Sequence, residues 1–149
     1  MGEMMLLSSL FERGALPVLQ KAMAFAEQRQ KVLANNVANF DTIGYKVKDL
    51  PVDDFNEALR EAVKKRDKRG VGASLEVAPH RHFRYDRSGR LQTRPREIQD
   101  NNILFHDQNN RFLEKQLLAL DKNSGRHRML AEMLGQQYNL LRSAIREQV

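Results

Sequence analysis

An apolar pattern with a heptad period runs through the last third of the chain. Its positions are separated alternately by four and three residues, which places them along one side of an α-helix. No proline interrupts the sequence from Asn109 to Val149, so the pattern predicts one helix of roughly 38 residues, about 57 Å long. A compact chain of this length has a radius of gyration of only about 15 Å, so the predicted molecule is elongated. The positions of this C-terminal seam are Leu113, Leu117, Leu120, Ser124, His127, Ala131, Leu134, Tyr138, Leu141 and Ile145.

A second heptad pattern lies near the N-terminus and predicts another helix. Pro17 stands where the first turn of a helix tolerates it, and Gln30 is the one polar residue in the pattern. Buried polar residues in such seams can fix the register of the two helices. The positions of this N-terminal seam are Leu16, Leu19, Met23, Ala26, Gln30, Leu33 and Val37.

The energetics of these helices favour further neighbours. Ordering the backbone costs about 1–2 kcal/mol per residue, whereas each buried seam side chain contributes only about 1.5–3 kcal/mol. Pairing two helices alone therefore leaves the net free energy of folding close to zero. We expect the termini to be poorly ordered in an isolated monomer and ordered in an assembly.

A polar turn follows the N-terminal seam, and residues 33–46 read LANNVANFDTIGYK. Asn and Asp side chains compete for local backbone hydrogen bonds, and Gly44 tolerates a positive φ. The segment predicts a helix that ends sharply and a chain that leaves it in a fixed direction. On residue chemistry alone, an ordinary helix end with a polar turn is the favoured interpretation. The residues singled out are Asn35, Asn36, Asn39, Asp41, Thr42, Gly44, Tyr45 and Lys46.

The middle of the chain begins with a short helical pattern from Asp53 to about Lys65, which Asp53 or Asp54 can cap. The charged run that follows, residues 64–72, contains two glycines and predicts a flexible, solvated loop. A nucleic-acid patch is the alternative for this run, but no aromatic stacking residue lies within it.

Short alternating segments come next and predict a small hairpin. They are residues 74–77 and 82–85, with a turn at residues 86–89, and a further turn is predicted at residues 100–102. His80 and His82 could ligate a metal, but no further ligands with a known spacing accompany them. No metal, cofactor or catalytic motif is therefore predicted.

Composition limits the classes of protein to which the chain can belong. The chain has 149 residues, enough for one domain, and a formal net charge of +6 with 30% charged residues. This charge permits nucleic acid, anionic lipid or acidic protein partners without selecting among them. The absence of cysteine excludes disulfides, thiol nucleophiles and Cys-based metal sites. No apolar run approaches the roughly 20 residues of a membrane span, and the apolar stretch at residues 4–11 does not have the features of a cleaved signal peptide.

The turn resembles the N-terminal signature of the flagellar axial proteins, the rod and hook family. In that family a helix ends in Ala-Asn-Asn, an aliphatic residue and Ala-Asn, followed by Thr, any residue, and Gly-Tyr-Lys. Ile43 stands where many members have proline. The C-terminal third also resembles the family, although Arg111, Phe112 and Gln116 depart from its pattern. The matching residues are Ala34, Asn35, Asn36, Val37, Ala38, Asn39, Thr42, Gly44, Tyr45 and Lys46, then Asp107, Asn109, Asn110, Leu113, Glu114 and Lys115.

The resemblance, over about 60% of the chain, implies a non-enzymatic structural subunit of the flagellar basal-body rod, most like the proximal rod subunit. It implies a mainly α, elongated fold. Residues 1–50 and 107–149 would form a coiled-coil-like helical pair, and residues 51–106 a small, irregular, β-containing middle region. The terminal helices would polymerise into a torque-transmitting shaft. Leu16, Leu19, Met23, Ala26, Leu33 and Val37 would pack with Leu113, Leu117, Leu120, Leu134, Tyr138, Leu141 and Ile145.

Partners implied by the resemblance are other rod subunits, the membrane-ring adaptor at the rod base and the flagellar export apparatus. Neither nucleic acid nor a small-molecule substrate is implied. The protein would leave through the type III apparatus without cleavage and reside in the periplasmic rod of the basal body. Two alternatives remain open, namely another axial rod subunit and a basic helical nucleic-acid-binding protein.

Overall fold

Three helices dominate the computed structural model, which describes residues 14–70, 72–98 and 106–146, with the side chains of the last segment described from Phe112 onward. Helix α1 spans Leu16–Ala38, helix α2 spans Val52–Arg69 and helix α3 spans His106–Arg146. The 41 residues of α3 correspond to about 61 Å. The predicted fold class, a mainly α chain with long terminal helices and a small strand-containing middle, is confirmed.

Helices α1 and α3 pack against each other in antiparallel orientation. Gln20 Nε2 donates to Tyr138 Oη at 3.2 Å near the start of α1, and Gln30 Nε2 donates to Ser124 Oγ at 2.6 Å in its middle. Near the end of α1, the Asn36 side chain reaches α3 at Gln116, 3.0 Å away. Residue numbers thus rise along one helix as they fall along the other.

The contact between α1 and α3 contains more polar side chains than the heptad pattern predicts. Asn123 is buried and donates from Nδ2 to the Ala26 carbonyl at 2.9 Å and to Gln30 Oε1 at 2.7 Å. Gln116, one heptad earlier, is buried as well, whereas the predicted seam residue Leu117 is exposed. The buried row of α3 therefore lies one position before the predicted row at this end of the helix. Satisfied hydrogen bonds allow these amides to be buried.

The hydrophobic core lies between α1 and the middle region, to which α2 and the hairpin belong. The Phe25 and Phe55 rings stack with centroids 4.0 Å apart, and the Phe83 ring meets Phe55 edge to face at 5.3 Å. Leu50 and Leu59 are buried in the same cluster. The middle region is therefore anchored to α1 by aromatic packing.

In the described residues, four short strands form two antiparallel pairs. Strand β1 (Lys48–Asp49) pairs with β4 (Arg96–Glu97), and β2 (Phe83–Tyr85) pairs with β3 (Leu91–Thr93). The hairpin formed by β2 and β3 confirms the prediction for residues 82–89. Its turn is closed by the Asp86 carboxylate, which accepts hydrogen bonds from the backbone of Ser88 and Arg90.

The predicted strand at residues 74–77 is wrong, because no strand is assigned in this described segment. Leu75 and Val77 are buried in the core while Ser74 and Glu76 are exposed, so the alternation reflects packing without a neighbouring strand.

The flexible loop predicted for residues 64–72 is wrong over residues 64–69, because α2 continues through this basic run to Arg69. Cations in the last turn of a helix interact favourably with the helix dipole. The Arg66 side chain is buried and donates to the Gly14 carbonyl at 3.3 Å, which ties the run to the start of α1. The helix ends at Gly70, whose φ is 90°.

Two predicted segments, the apolar stretch at residues 4–11 and the turn at residues 100–102, lie outside the described residues. Of the helices that the structure describes, none is long and apolar enough to cross a membrane.

Candidate assembly site

The end of α1 is held by a series of short-range hydrogen bonds. Asn39, the residue after the helix, donates to the Asn35 carbonyl from its backbone N–H at 3.0 Å and from Nδ2 at 2.9 Å. The backbone N–H of Thr42 then donates to the Asn39 carbonyl at 3.0 Å, and that of Tyr45 to the Thr42 carbonyl at 3.1 Å. The turn is therefore built from consecutive local bonds, as expected where Asn and Thr follow a helix.

Asn36 connects this turn to the rest of the molecule. Its side chain is only 1% exposed, and its Nδ2 donates to the Lys48 carbonyl at 2.7 Å and to Gln116 Oε1 at 3.0 Å. Its Oδ1 accepts from the Lys48 backbone N–H at 3.1 Å and from Tyr45 Oη at 3.2 Å. One amide thus joins the end of α1, the chain leaving the turn, and α3.

Gly44 has the positive φ that the sequence predicts, 77°. A Cβ added there would meet no atom within 4 Å, so the requirement for glycine is conformational and not steric. The preceding Ile43 is fully exposed. Lys46, after the turn, forms an ion pair with Glu97 at 3.1 Å.

The direction of the chain after the turn is fixed by two further contacts. The Arg29 guanidinium donates to both oxygens of Asp49, each at 2.8 Å, and this fork-to-carboxylate geometry is directional. Strand β1, which contains Asp49, pairs with β4, and Ile98 N donates to the Val47 carbonyl at 2.9 Å. The exit from α1 is therefore attached to both α1 and the middle region.

The structure buries the predicted packing residues to different extents. Within α1, the fully buried residues are Leu16, Ala26 and Leu33, and the half-buried ones are Leu19, Met23 and Val37. Within α3, the half-buried residues are Leu113, Leu120, Leu134 and Leu141, and the exposed ones are Leu117, Tyr138 and Ile145. Asp41, from the predicted turn set, is exposed.

A second apolar row on α3 is largely open to solvent. It comprises Leu118, Met129, Met133 and Leu140, of which Met129 is 55% and Leu140 is 64% exposed. At 100° per residue these four side chains fall within about 60° of one another, so they form a single stripe along the helix. We call this row the outer stripe. Exposed apolar side chains aligned on one side of a helix are typical of sites of protein association, although here the exposed Lys122 and Gln136 lie among them.

The heptad pattern does not predict three features of the site. Gln116 and Asn123 lie outside the predicted seam, and of the outer stripe the sequence marks only Leu118, Met133 and Leu140, as residues that broaden the apolar face. The spacing of seven residues between the two amides was the available signal.

A cavity of about 320 Å³ lies between α1 and the hairpin and offers no catalytic arrangement. Lys21 Nζ lies 3.7 Å from the centroid of the Tyr85 ring, and burial lowers the pKa of Lys21. Burial likewise raises the pKa of Tyr85, whose Oη is enclosed and has no hydrogen-bond partner among the described residues. We interpret the protonated Tyr85 phenol and the Lys21 cation over its ring as part of the packing between α1 and the hairpin.

The two histidines considered as metal ligands are engaged in other contacts. His80 Nε2 lies 3.8 Å from Asp54 Oδ2, and His82 Nδ1 lies 2.9 Å from the Arg94 carbonyl oxygen. Within the described ranges no three His, Asp or Glu side chains converge as a metal site requires.

Comparison with known proteins identifies the signature region. Residues 16–46, helix α1 together with its turn, match the family model described as flagella basal body rod protein. The resemblance to flagellar basal-body rod proteins is confirmed. The match includes Asn36, its hydrogen-bond partner Tyr45, and Gly44, whereas the other partners of Asn36, Lys48 and Gln116, lie outside it.

Individual relatives agree with the family match. The chain is 36% identical over 70 residues to the flagellar basal body rod protein FlgB of Yersinia enterocolitica, covering 47% of this chain and 49% of that protein. It is 37% identical over 69 residues to FlgB of Salmonella typhimurium, covering 46% and 48% of the two chains. The chain thus spans about half the length of the curated relatives it matches. No solved structure matches it significantly.

Proposed function

We propose that this protein is a structural subunit of the bacterial flagellar basal-body rod, similar in role to FlgB. The signature region that matches the rod family supports the proposal, and the outer stripe is the structural observation that carries it. An apolar row whose side chains are 38–64% exposed in the monomer needs a partner surface, and a polymer of like subunits provides one.

The function is mechanical under this proposal. Helices α1 and α3 pack as a pair within each subunit, and the outer stripe packs against neighbouring subunits to build the wall of a rigid shaft that transmits torque. Interfaces that repeat head to tail without closing generate such filaments. The predicted packing residues of α3 that are exposed here, Leu117, Tyr138 and Ile145, add to the surface available to neighbours.

The turn after α1 sets the direction in which the chain leaves the wall. Asn36 links the turn to α3, and the Arg29–Asp49 ion pair links the outgoing chain to α1. The middle region is thereby held at a fixed angle to the helical pair. A shaft that carries torque requires such an angle to be the same in every subunit.

Other rod subunits, including copies of this chain, are the proposed partners, together with the membrane-ring adaptor at the rod base and the export apparatus. Localisation is the periplasmic part of the basal body, reached through the type III apparatus without a cleaved signal peptide. The proposed role requires no catalysis, cofactor, metal or nucleic acid. Another axial rod subunit of the same family is the alternative assignment.

The outer stripe provides the test. Met133→Glu together with Leu140→Glu places two charges on it while leaving the buried contact with α1 unchanged. We expect this variant to remain helical by circular dichroism but to fail to restore swimming and rod assembly in a strain lacking the gene. Asn139→Glu adds a charge to an exposed position on a different side of α3 and serves as the control. Normal swimming and complete basal bodies with the double variant would refute the role of the stripe.

A further inference from the structure

The hairpin of β2 and β3, with its flanking residues, carries an unusual concentration of arginine. Residues 80–98 contain six arginines and no lysine, against only two acidic residues. The arginine guanidinium is a planar donor that binds carboxylates or phosphates through two parallel hydrogen bonds. The proposed contacts of the outer stripe make no use of this surface.

The register of the hairpin gathers three of these arginines on one face. Phe83 and Tyr85 point toward the core, so Arg84, between them, points outward, opposite Gln92. Backbone hydrogen bonds pair His82 with Arg94 and Asp86 with Arg90 at the two ends, which places Arg90 and Arg94 on the same outer face. All three arginines are exposed. We call Arg84, Arg90 and Arg94 the arginine face.

No carboxylate forms a direct ion pair with the arginine face within the part of the chain that the structure describes. Asp86 accepts hydrogen bonds from Ser88 and the Arg90 backbone, and its carboxylate also interacts electrostatically with Arg90. Glu97 pairs with Lys46. Like charges at diagonal positions of a hairpin lie about 7–8 Å apart and repel. The face is also rigid, because Phe83 anchors the hairpin in the core and Arg84 Nε and Nη2 donate to Gln92 Oε1 at 3.3 and 3.2 Å.

An oppositely charged surface lies on the first half of α2. Asp53, Glu57 and Glu61 are exposed and follow one another at intervals of four residues, with Asp54 beside them. Lys64 neutralises Glu61 at 2.8 Å, whereas Asp53 and Glu57 form no ion pair among the described residues. The helix dipole accounts for acidic residues at this end of a helix, but no ion pair in the described part of the chain accounts for three arginines on one face.

We propose that the arginine face of one subunit docks on the acidic surface of α2, formed by Asp53, Asp54 and Glu57, in a second copy of this chain. The proposal rests on the proposed function as a self-assembling subunit and adds a named electrostatic contact to it. One surface meets a different one, so the contact is head to tail and repeats from copy to copy. Paired hydrogen bonds from arginine to carboxylates orient one subunit on the next, and the outer stripe contributes the apolar contact area.

A charge-exchange experiment tests the contact. Variant one carries Arg84→Glu and Arg90→Glu, and variant two carries Asp53→Arg and Glu57→Arg. Self-association of each purified full-length protein and of their equimolar mixture is measured by sedimentation at low and high salt. Lys65→Glu with Lys68→Glu makes the same change in net charge as variant one at exposed positions elsewhere on α2, and is the control.

We expect each variant alone to associate at least about tenfold more weakly than the unaltered protein, because like charges then face each other. The mixture should recover most of the loss, the control should change little, and raising salt to 1 M should weaken the unaltered protein, since screening is then effective within about 3 Å. Circular dichroism of each variant establishes that the helices are retained.

Unchanged association of both variants, or a mixture that fails to recover, would overturn the proposal. If variant one self-associates normally but loses binding to duplex DNA or to anionic lipid vesicles, the arginine face serves a phosphate-bearing partner and the proposal is wrong. The stripe variant Met133→Glu with Leu140→Glu separates the two hypotheses. If that variant abolishes association while the charge variants have no effect, the proposed function stands and the arginine contact fails. If the unaltered protein does not associate at any salt concentration, the arginine contact fails, whereas the proposed function, whose partners include other rod subunits, is decided by the swimming test.

Discussion

Replacing Asn36 by alanine tests whether one buried amide organises the signature turn. The substitution removes both polar atoms of a side chain that makes four hydrogen bonds, to the carbonyl and N–H of Lys48, to Gln116 and to Tyr45. Alanine fits the helical backbone at this position without strain, so the hydrogen bonds are the main quantity that changes.

The structure sets the expected size of the effect. Four hydrogen bonds at about 1 kcal/mol each amount to about 4 kcal/mol of unfolding free energy. Water can replace the bond to Tyr45, which is half-buried, and alanine favours the helix by roughly 0.5 kcal/mol. Gln116 is buried and keeps an acceptor without a donor, which costs stability. The expected net loss is about 3 kcal/mol, a large part of the 5–15 kcal/mol typical of folded domains.

Urea denaturation followed by circular dichroism measures this loss, with all variants compared at the same protein concentration. The matched control is Asn35→Ala, which changes the neighbouring asparagine, whose side chain is exposed and makes none of these bonds. We expect the control to stay within about 0.5 kcal/mol of the unaltered protein. An Asn36→Ala protein within about 1 kcal/mol of the unaltered one, or an equal loss in the control, would refute the assigned role of Asn36.

Two further predictions concern backbone turns. Gly44→Val forces a β-branched residue to φ 77°, at a cost above about 1–2 kcal/mol, and we expect the variant strain to be expressed but not to swim. A strain with Ile43→Val at the neighbouring position should swim normally. A motile Gly44→Val strain would contradict the reasoning. Hydrogen bonding by Ser88 and the Arg90 backbone lowers the pKa of Asp86, so the ionised carboxylate stabilises the hairpin. This stabilisation is present above the unfolded pKa of about 3.9 and is lost as pH falls through the lower folded value, so the protection factors of amide protons at the turn, measured relative to intrinsic exchange at each pH, should fall below about pH 4. In Asp86→Ala that acid-dependent loss of protection should be absent, and its persistence would point to another group.

Heptad counting and turn chemistry predicted the parts of the fold that depend on local sequence. The N-terminal seam from Leu16 to Val37 predicted α1, and the uninterrupted pattern after Asn109 predicted α3. The position of Gly44 predicted a positive φ. Each of these signals is contained within a few consecutive turns of chain.

The parts that were missed depend on contacts between distant segments. The phase of the buried row on α3 is set by Gln116 and Asn123 meeting α1, and a rule that assigns apolar residues to seams discards amides. The packing of Phe25 with Phe83 joins residues 58 positions apart, which no local pattern reveals. The end of α2 lies later in the chain than predicted. A charged, glycine-containing run is typical of a loop, but here the run remains helical, and the buried Arg66 side chain within it hydrogen-bonds to the Gly14 carbonyl at the start of α1.

The bond between Asn36 and Gln116 spans 80 positions of sequence and has a temporal consequence. Residues near the beginning of the chain cannot complete their geometry until residues near its end have arrived and become helical. Under the proposed export as an extended chain, the contact between the signature turn and α3 forms only after the last residues have arrived, whereas the packing of the middle region on α1 does not depend on them. A docking surface that includes both α1 and α3 would then be complete only at the end of export.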